Sequence, residues 1–155
     1  MKLLVLGIGN ILMNDDAAGA LAAQRLAERY EETDELRIVE GGTLGLDLLP
    51  MVEWADKLIL IDAVDVDHPC GTVVRIEGED VEPVFETKLS PHQMGMKDLL
   101  LTAELAGYRP EEVTLFGIQS GNVNMDMTLS PEVEANMDKL VNLVGREIEL
   151  FLEER

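Results

Sequence analysis

One cysteine, Cys70, stands in the 155 residues, so no intrachain disulfide can form and nothing points to an oxidising compartment. It lies in His68-Pro69-Cys70-Gly71, a loop entering a strand, and reads as a filler side chain rather than a nucleophile. Aromatic residues make up only 4% against a hydrophobic fraction of 46%, so the core must be built from Leu, Val, Ile, Ala and Met. Basic residues are also scarce. Twelve face 31 acidic ones, for a formal charge of -19. Such a field repels nucleic-acid phosphates and anionic lipid heads, and it favours a cationic partner, a metal ion included, or serves solubility alone. Long apolar runs are missing as well. The N-terminal run ends at Gly9 and meets Asn10 and then Asp15, too soon for a signal peptide or membrane span, so a cytoplasmic protein without membrane insertion is expected. There is no internal repeat, low-complexity tract or linker, which predicts one domain over residues 1–155.

Several catalytic signatures are likewise missing: no GxSxG, no phosphate-binding Walker loop and no compact HExxH. Gly7-Ile8-Gly9 begins like a dinucleotide fingerprint, but Leu12 stands where the third glycine belongs. The loop then carries carboxylates that would repel a pyrophosphate.

What the chain does have is the stretch Leu3 to Gly19, LLVLGIGNILMNDDAAG. Four apolar residues, Leu3 to Leu6, suit a strand buried on both faces. Gly7, Gly9 and Asn10 permit a turn, Asp15 and Asp16 follow, and an alanine-rich helix is predicted over 17–30. The first β-to-α loop therefore carries acid to the carboxyl end of the first strand, the edge at which open α/β sheets bind ligands.

The remaining segments alternate. A strand is predicted over Glu35 to Glu40, ended by a Gly41-Gly42-Thr43 turn, with Thr43 capping a helix from Leu44 to Glu53. Lys57 to Asp62 reads as a third strand closing on Asp62. Thr72 to Ile76 follows with no helix between and so reads as an antiparallel edge strand. Glu77 to Lys88, charge-rich and holding Pro83, reads as a loop. Ser90-Pro91-His92 opens a helix to about Ala106, and Val113 to Ile118 is the fifth strand. Gln119 to Leu129 is expected to be an ordered polar loop. Ser130 caps the last helix, whose apolar stripe is Val133, Met137, Leu140, Val141, Val144, Ile148 and Phe151. The fold class is α/β: a three-layer α/β/α sandwich on a mostly parallel five-stranded sheet with an antiparallel edge strand.

In such a fold Asp16, Asp62 and His92 gather at one sheet edge. Two carboxylates and an imidazole suit a borderline divalent cation such as zinc or nickel and leave coordination positions open. Each residue also has a plainer reading. Asp15 or Asp16 can cap the first helix, Asp62 can hydrogen-bond to a neighbouring loop, and His92 can be a helix-start residue satisfied by backbone. A different class fits part of the pattern too: a receiver-like signalling module binding Mg²⁺ and accepting phosphate on Asp62. That module needs a lysine ending the fifth strand, where Phe116-Gly117-Ile118-Gln119-Ser120 has none.

Gly7-x-Gly9-Asn10 with Asp15-Asp16-x-x-Gly19 resembles the opening motif of the hydrogenase maturation endopeptidases. Gly41-Gly42-Thr43-x-Gly45 resembles their second glycine motif, Asp62-Ala63 the acidic end of their third strand, and Ser90-Pro91-His92-Gln93-x-Gly95 their histidine motif. All four come in the family's order across essentially the whole chain. The resemblance implies an aspartic-type endopeptidase that removes a C-terminal extension from the large-subunit precursor of a nickel-iron hydrogenase once nickel is in place. It implies that Asp16, Asp62 and His92 recognise that substrate-borne nickel and carry the cleavage, with zinc or cadmium able to occupy the same site in vitro. Family members often carry glutamate where Asp16 stands. Asn10, Gly41, Gly42, Thr43 and Gly45 become substrate-loop candidates, no further cofactor is implied, and a monomer is expected. Metal polarisation of the scissile carbonyl and general-base catalysis by a carboxylate both stay open. So does a relative that binds metal without cutting.

Overall fold

The computed structural model describes residues 1–9, 17–42, 46–86, 96–121 and 129–154. Five strands form one sheet: β1 (Leu3–Ile8), β2 (Leu36–Gly42), β3 (Lys57–Val64), β4 (Val73–Glu77) and β5 (Glu112–Gln119). Their spatial order is β2-β1-β3-β5-β4. β1, β2, β3 and β5 run parallel, and β4 pairs antiparallel with β5 at the edge, as its direct connection to β3 predicts.

The helices are α1 (Ala18–Arg29), α2 (Leu49–Trp54), α3 (Val81–Glu86), α4 (Met96–Leu105) and α5 (Pro131–Glu154). Side-chain alternation along the strands divides the core in two. Leu3, Val5, Ile59, Ile61, Phe116 and Ile118 face α1 and α5. Leu4, Leu6, Leu58, Leu60, Val64 and Leu115 face α2, α3 and α4. The central strands are apolar at nearly every position because helices cover both faces. All seven predicted stripe residues of α5 are buried against the first of these faces. Ile148→Ala, which empties a fully buried site there, is expected to lower unfolding stability by about 2–5 kcal/mol in a urea titration.

Several boundaries differ from the sequence reading. β3 does not stop at Asp62. Asp62, Ala63 and Val64 continue the ladder against Gly117, Ile118 and Gln119 of β5, which itself reaches Gln119. Gly41 and Gly42 do not form a turn but extend β2. Gly7 pairs with Glu40 and Ile8 with Gly42, so Gly41 is the extra residue of a bulge. The chain re-enters the described residues as a 3₁₀ turn, Leu46–Leu48, leading into α2. The predicted loop from Glu77 to Lys88 contains a 3₁₀ turn, Gly78–Asp80, and then α3. Pro83 does not prevent that helix because it falls in the first turn, where its missing N–H would have no intrahelical partner. Val81, fully buried, anchors α3 on the sheet. Among the described residues no helix is long and apolar enough to cross a membrane.

Candidate functional site

The strand order determines where a crevice can open. From β1 the chain crosses through α1 to β2 on one side, whereas from β3 it passes beyond β5 to β4 on the other. The connections diverge between β1 and β3, and the carboxyl ends of these two strands are the place for a ligand. The ladder between them ends at Gly7 opposite Ile61. Asp62 is the next residue along β3.

Asp62 is 1% exposed and sits on the same face of β3 as Leu60 and Val64. An apolar side chain would fill that position at lower cost, because burying a carboxylate sacrifices hydration that packing does not restore. A buried carboxylate at the mouth of the crevice is therefore difficult to explain by packing, and site chemistry explains it better.

Two helices begin at this edge. α1 starts directly over it: a Cβ added to Gly19 would come within 2.2 Å of the Ile61 carbonyl oxygen and 2.3 Å of that of Ile8. A Cβ on Gly7 would in turn meet the Gly19 carbonyl oxygen at 2.3 Å and the Ala23 Cβ at 2.5 Å. Two motif glycines thus let helix and strands interlock backbone against backbone. Gly7 serves packing from within β1, while Gly9, at φ 130°, is the turn glycine the sequence predicts. α1 takes Ala17 as its N-cap residue, with no side-chain cap, and the capping reading of Asp15 or Asp16 falls on residues outside the described ones. α4 also starts at this edge. Its far end leads to Glu111, whose N–H donates to the Asp56 carbonyl at the opposite, amino edge of the sheet. Ten residues of helix, about 15 Å at 1.5 Å per residue, separate the two edges, so Met96 stands on the carboxyl side.

Of the predicted site residues, Asp62, Gly41 and Gly42 are placed in this way. Asn10, Asp16, Thr43, Gly45 and His92 lie outside the described residues. Gly41 is tightly held: a Cβ there would reach Leu6 Cδ1 at 2.9 Å and Leu48 Cδ1 at 3.3 Å, which explains glycine in the second motif by packing against β1 and the 3₁₀ turn before α2. Among the described residues no group of three histidine, cysteine or acidic side chains is close enough to hold a metal ion. Cys70 packs half-buried against the core, and His68 is exposed.

Gln119 went unnoticed in the sequence, where it reads as the start of a polar loop. It is instead the last residue of β5, 5% exposed, with its side-chain amide fully engaged. The Oε1 atom accepts from the backbone N–H groups of Val66 at 2.9 Å and His68 at 3.3 Å. The Nε2 atom donates to Asp65 Oδ1 and to the Ser120 carbonyl, both at 3.1 Å. The available signal was a polar residue ending an otherwise apolar strand, the same signal that singles out Asp62.

Comparison with known proteins adds to this geometry. A family model described as hydrogenase maturation protease matches residues 21–147. A protein of Rhodobacter capsulatus called hydrogenase expression/formation protein HupD is 39% identical over 150 residues, covering 95% of this chain and 71% of its own. The hydrogenase 2 maturation protease of Escherichia coli is 37% identical over 145 residues, covering 93% and 88%. Among solved structures, the E. coli hydrogenase maturating endopeptidase HybD superposes with a TM-score of 0.85 at 36% identity, covering 93% of this chain and 90% of that one. The [NiFe] hydrogenase maturation protease HybD of Thermococcus kodakarensis gives 0.76 at 31% identity, covering 94% and 98%.

Proposed function

This chain belongs to the hydrogenase maturation proteases, and on that premise we propose that it trims a hydrogenase large-subunit precursor only after nickel has been inserted. The observation that carries the reading is Asp62, a carboxylate buried at the mouth of the β1–β3 crevice. The two other proposed nickel contacts, Asp16 and His92, belong to the segments leading into α1 and α4, whose first turns stand at the same edge.

Thiolate-bound nickel in a precursor has few coordination positions left. Two carboxylates and one imidazole from the protease take up those positions. Without nickel, the acidic side chains meet no cation and repel one another, so the precursor is not held. The metal is thus part of the substrate and not a resident of the enzyme, which works in the cytoplasm as a monomer. Asn10 and the Gly41-Gly42-Thr43-x-Gly45 segment place the peptide.

The cut is an aspartic-type hydrolysis. A site carboxylate accepts a proton from water as the water oxygen bonds to the scissile carbonyl carbon. The C–N bond then breaks and the proton passes to the departing amine. Purified protein incubated with matched nickel-loaded and nickel-free precursor tests the gate. The nickel-loaded form is expected to lose its C-terminal extension, with the nickel-free form at least about a hundredfold slower, since two or three metal bonds are lost with the cation. Equal rates on both forms would refute nickel recognition while leaving the peptidase intact.

A further inference from the structure

We propose that Gln119 is a positioning residue for the cleavage reaction, setting the place of the Asp62 carboxylate through the backbone that follows it. The proposal rests on the reading of Asp62 given above.

Among the described residues, Asp62 is paired in the sheet on one side only. Up to Ile61, β3 is held between β1 and β5. From Asp62 to Val64 the described ladder continues on the β5 side alone, against Gly117 to Gln119. A strand held on one side needs another restraint to keep a side chain within the few tenths of an ångström that catalysis requires. Gln119 supplies that restraint at the free end. Its backbone N–H donates to Thr72 O at 2.8 Å, and its carbonyl accepts from Gly71 N at 2.9 Å. Its side chain holds Asp65, Val66 and His68 by the bonds already described. Next to it, Ser120 N donates to the Val64 carbonyl at 2.9 Å. Both ends of the connection from Asp65 to Thr72 are therefore fastened to one residue.

Only an amide fits this role. The oxygen uses both acceptor positions and the nitrogen both donor positions, so neither a carboxylate nor an apolar isostere can repeat the pattern. Within the loop so held, Asp67 has φ 60°, a left-handed value that aspartate adopts more readily than most side chains, and its N–H donates to Asp65 Oδ1 at 3.4 Å.

The test compares kinetics on the nickel-loaded precursor with folding measured in parallel. Gln119→Leu, of similar size, is expected to remain folded by circular dichroism yet to lower kcat by about tenfold or more, with KM changed by less than about threefold, the pattern of lost positioning. A folded Gln119→Leu that cuts at the wild-type kcat, beside an inactive Asp62→Asn, overturns the proposal. Wild-type cleavage by Asp62→Asn would instead overturn the underlying reading of Asp62. Gln119→Glu decides the matter even where Gln119→Leu does not fold. Protonated, a glutamic acid still accepts from Val66 and His68 and donates to Asp65. Ionised, it sets a negative oxygen against the Asp65 carboxylate and the Ser120 carbonyl. The ratio of its kcat to wild type, with both proteins folded, is expected to fall as pH rises from about 5.5 to about 8, because burial and Asp65 place its ionisation above the usual glutamate range. A ratio independent of pH would count against any positioning role.

Discussion

Gly19→Ala is expected to destabilise the protein by about 3 kcal/mol or more, although alanine is the better helix former by about 1 kcal/mol. Gly19 is the second residue of α1, and the added methyl would lie 2.2 Å and 2.3 Å from the carbonyl oxygens of Ile61 and Ile8. Both obstacles are backbone atoms of central strands paired in the sheet, so neither can swing aside as a side chain would. The first turn of α1 must lift, and this disturbs the core packing of Ala18 and of Ala22 in the next turn. Gly145, within α5, supplies the contrast. A methyl there meets the Tyr30 hydroxyl at 3.0 Å, the far end of a side chain. That hydroxyl also donates to the Gly145 carbonyl at 3.3 Å and must shift, so Gly145→Ala is expected to cost no more than about 1 kcal/mol. Urea titrations of both variants check the pair. Equal midpoints would mean that α1 does not lie on the strands as closely as described. Because the lifted turn leaves Ile61 next to Asp62, Gly19→Ala is also expected to cut its substrate poorly wherever it remains folded.

Asp62→Asn is expected to lower kcat/KM on the nickel-loaded precursor by about a hundredfold or more, near 3 kcal/mol of transition-state stabilisation. Asparagine keeps the shape and removes the charge, so the substitution isolates the carboxylate. Its stability cost is expected to be no more than about 1 kcal/mol, because the site already bears the cost of burying a charge that asparagine relieves. Asp138→Asn serves as the control. Asp138 is exposed on α5 and pairs with Arg25, and the loss of such a surface pair should leave both activity and stability nearly unchanged. On the proposed function, Asp16→Asn and His92→Ala should resemble Asp62→Asn, and combining them should add little, since groups proposed to hold one cation would act as a unit. Normal cleavage by Asp62→Asn would remove the basis for the site.

The alternation of buried and covering segments was readable along the chain because each element announces itself locally. The seven-residue stripe of α5 repeats at helical spacing, and Leu3 to Leu6 of β1 and Leu58 to Ile61 of β3 are apolar without interruption. The antiparallel edge followed from the absence of a helix between β3 and β4. The reading failed where a local signal had a competing tertiary use. Gly41 and Gly42 suggest a turn, yet in β2 they form a bulge under Leu6 and Leu48. The charge and proline of residues 77–88 suggest a loop, yet Val81 draws six of those residues into a helix by burying its side chain.

Residue type and order were enough to identify the family: acidic residues, a histidine and glycines at fixed offsets, in one order along the chain. These are covalent facts that folding does not alter. The tertiary structure alone decided what stands beside what. That Gly7 and Gly19 interlock, that Asp62 extends past the last β1 pairing, and that Gln119 ties down the segment after it all depend on atoms distant in the chain. Close packing forces such neighbours together to within tenths of an ångström, and no local pattern in a sequence encodes a distance of that kind.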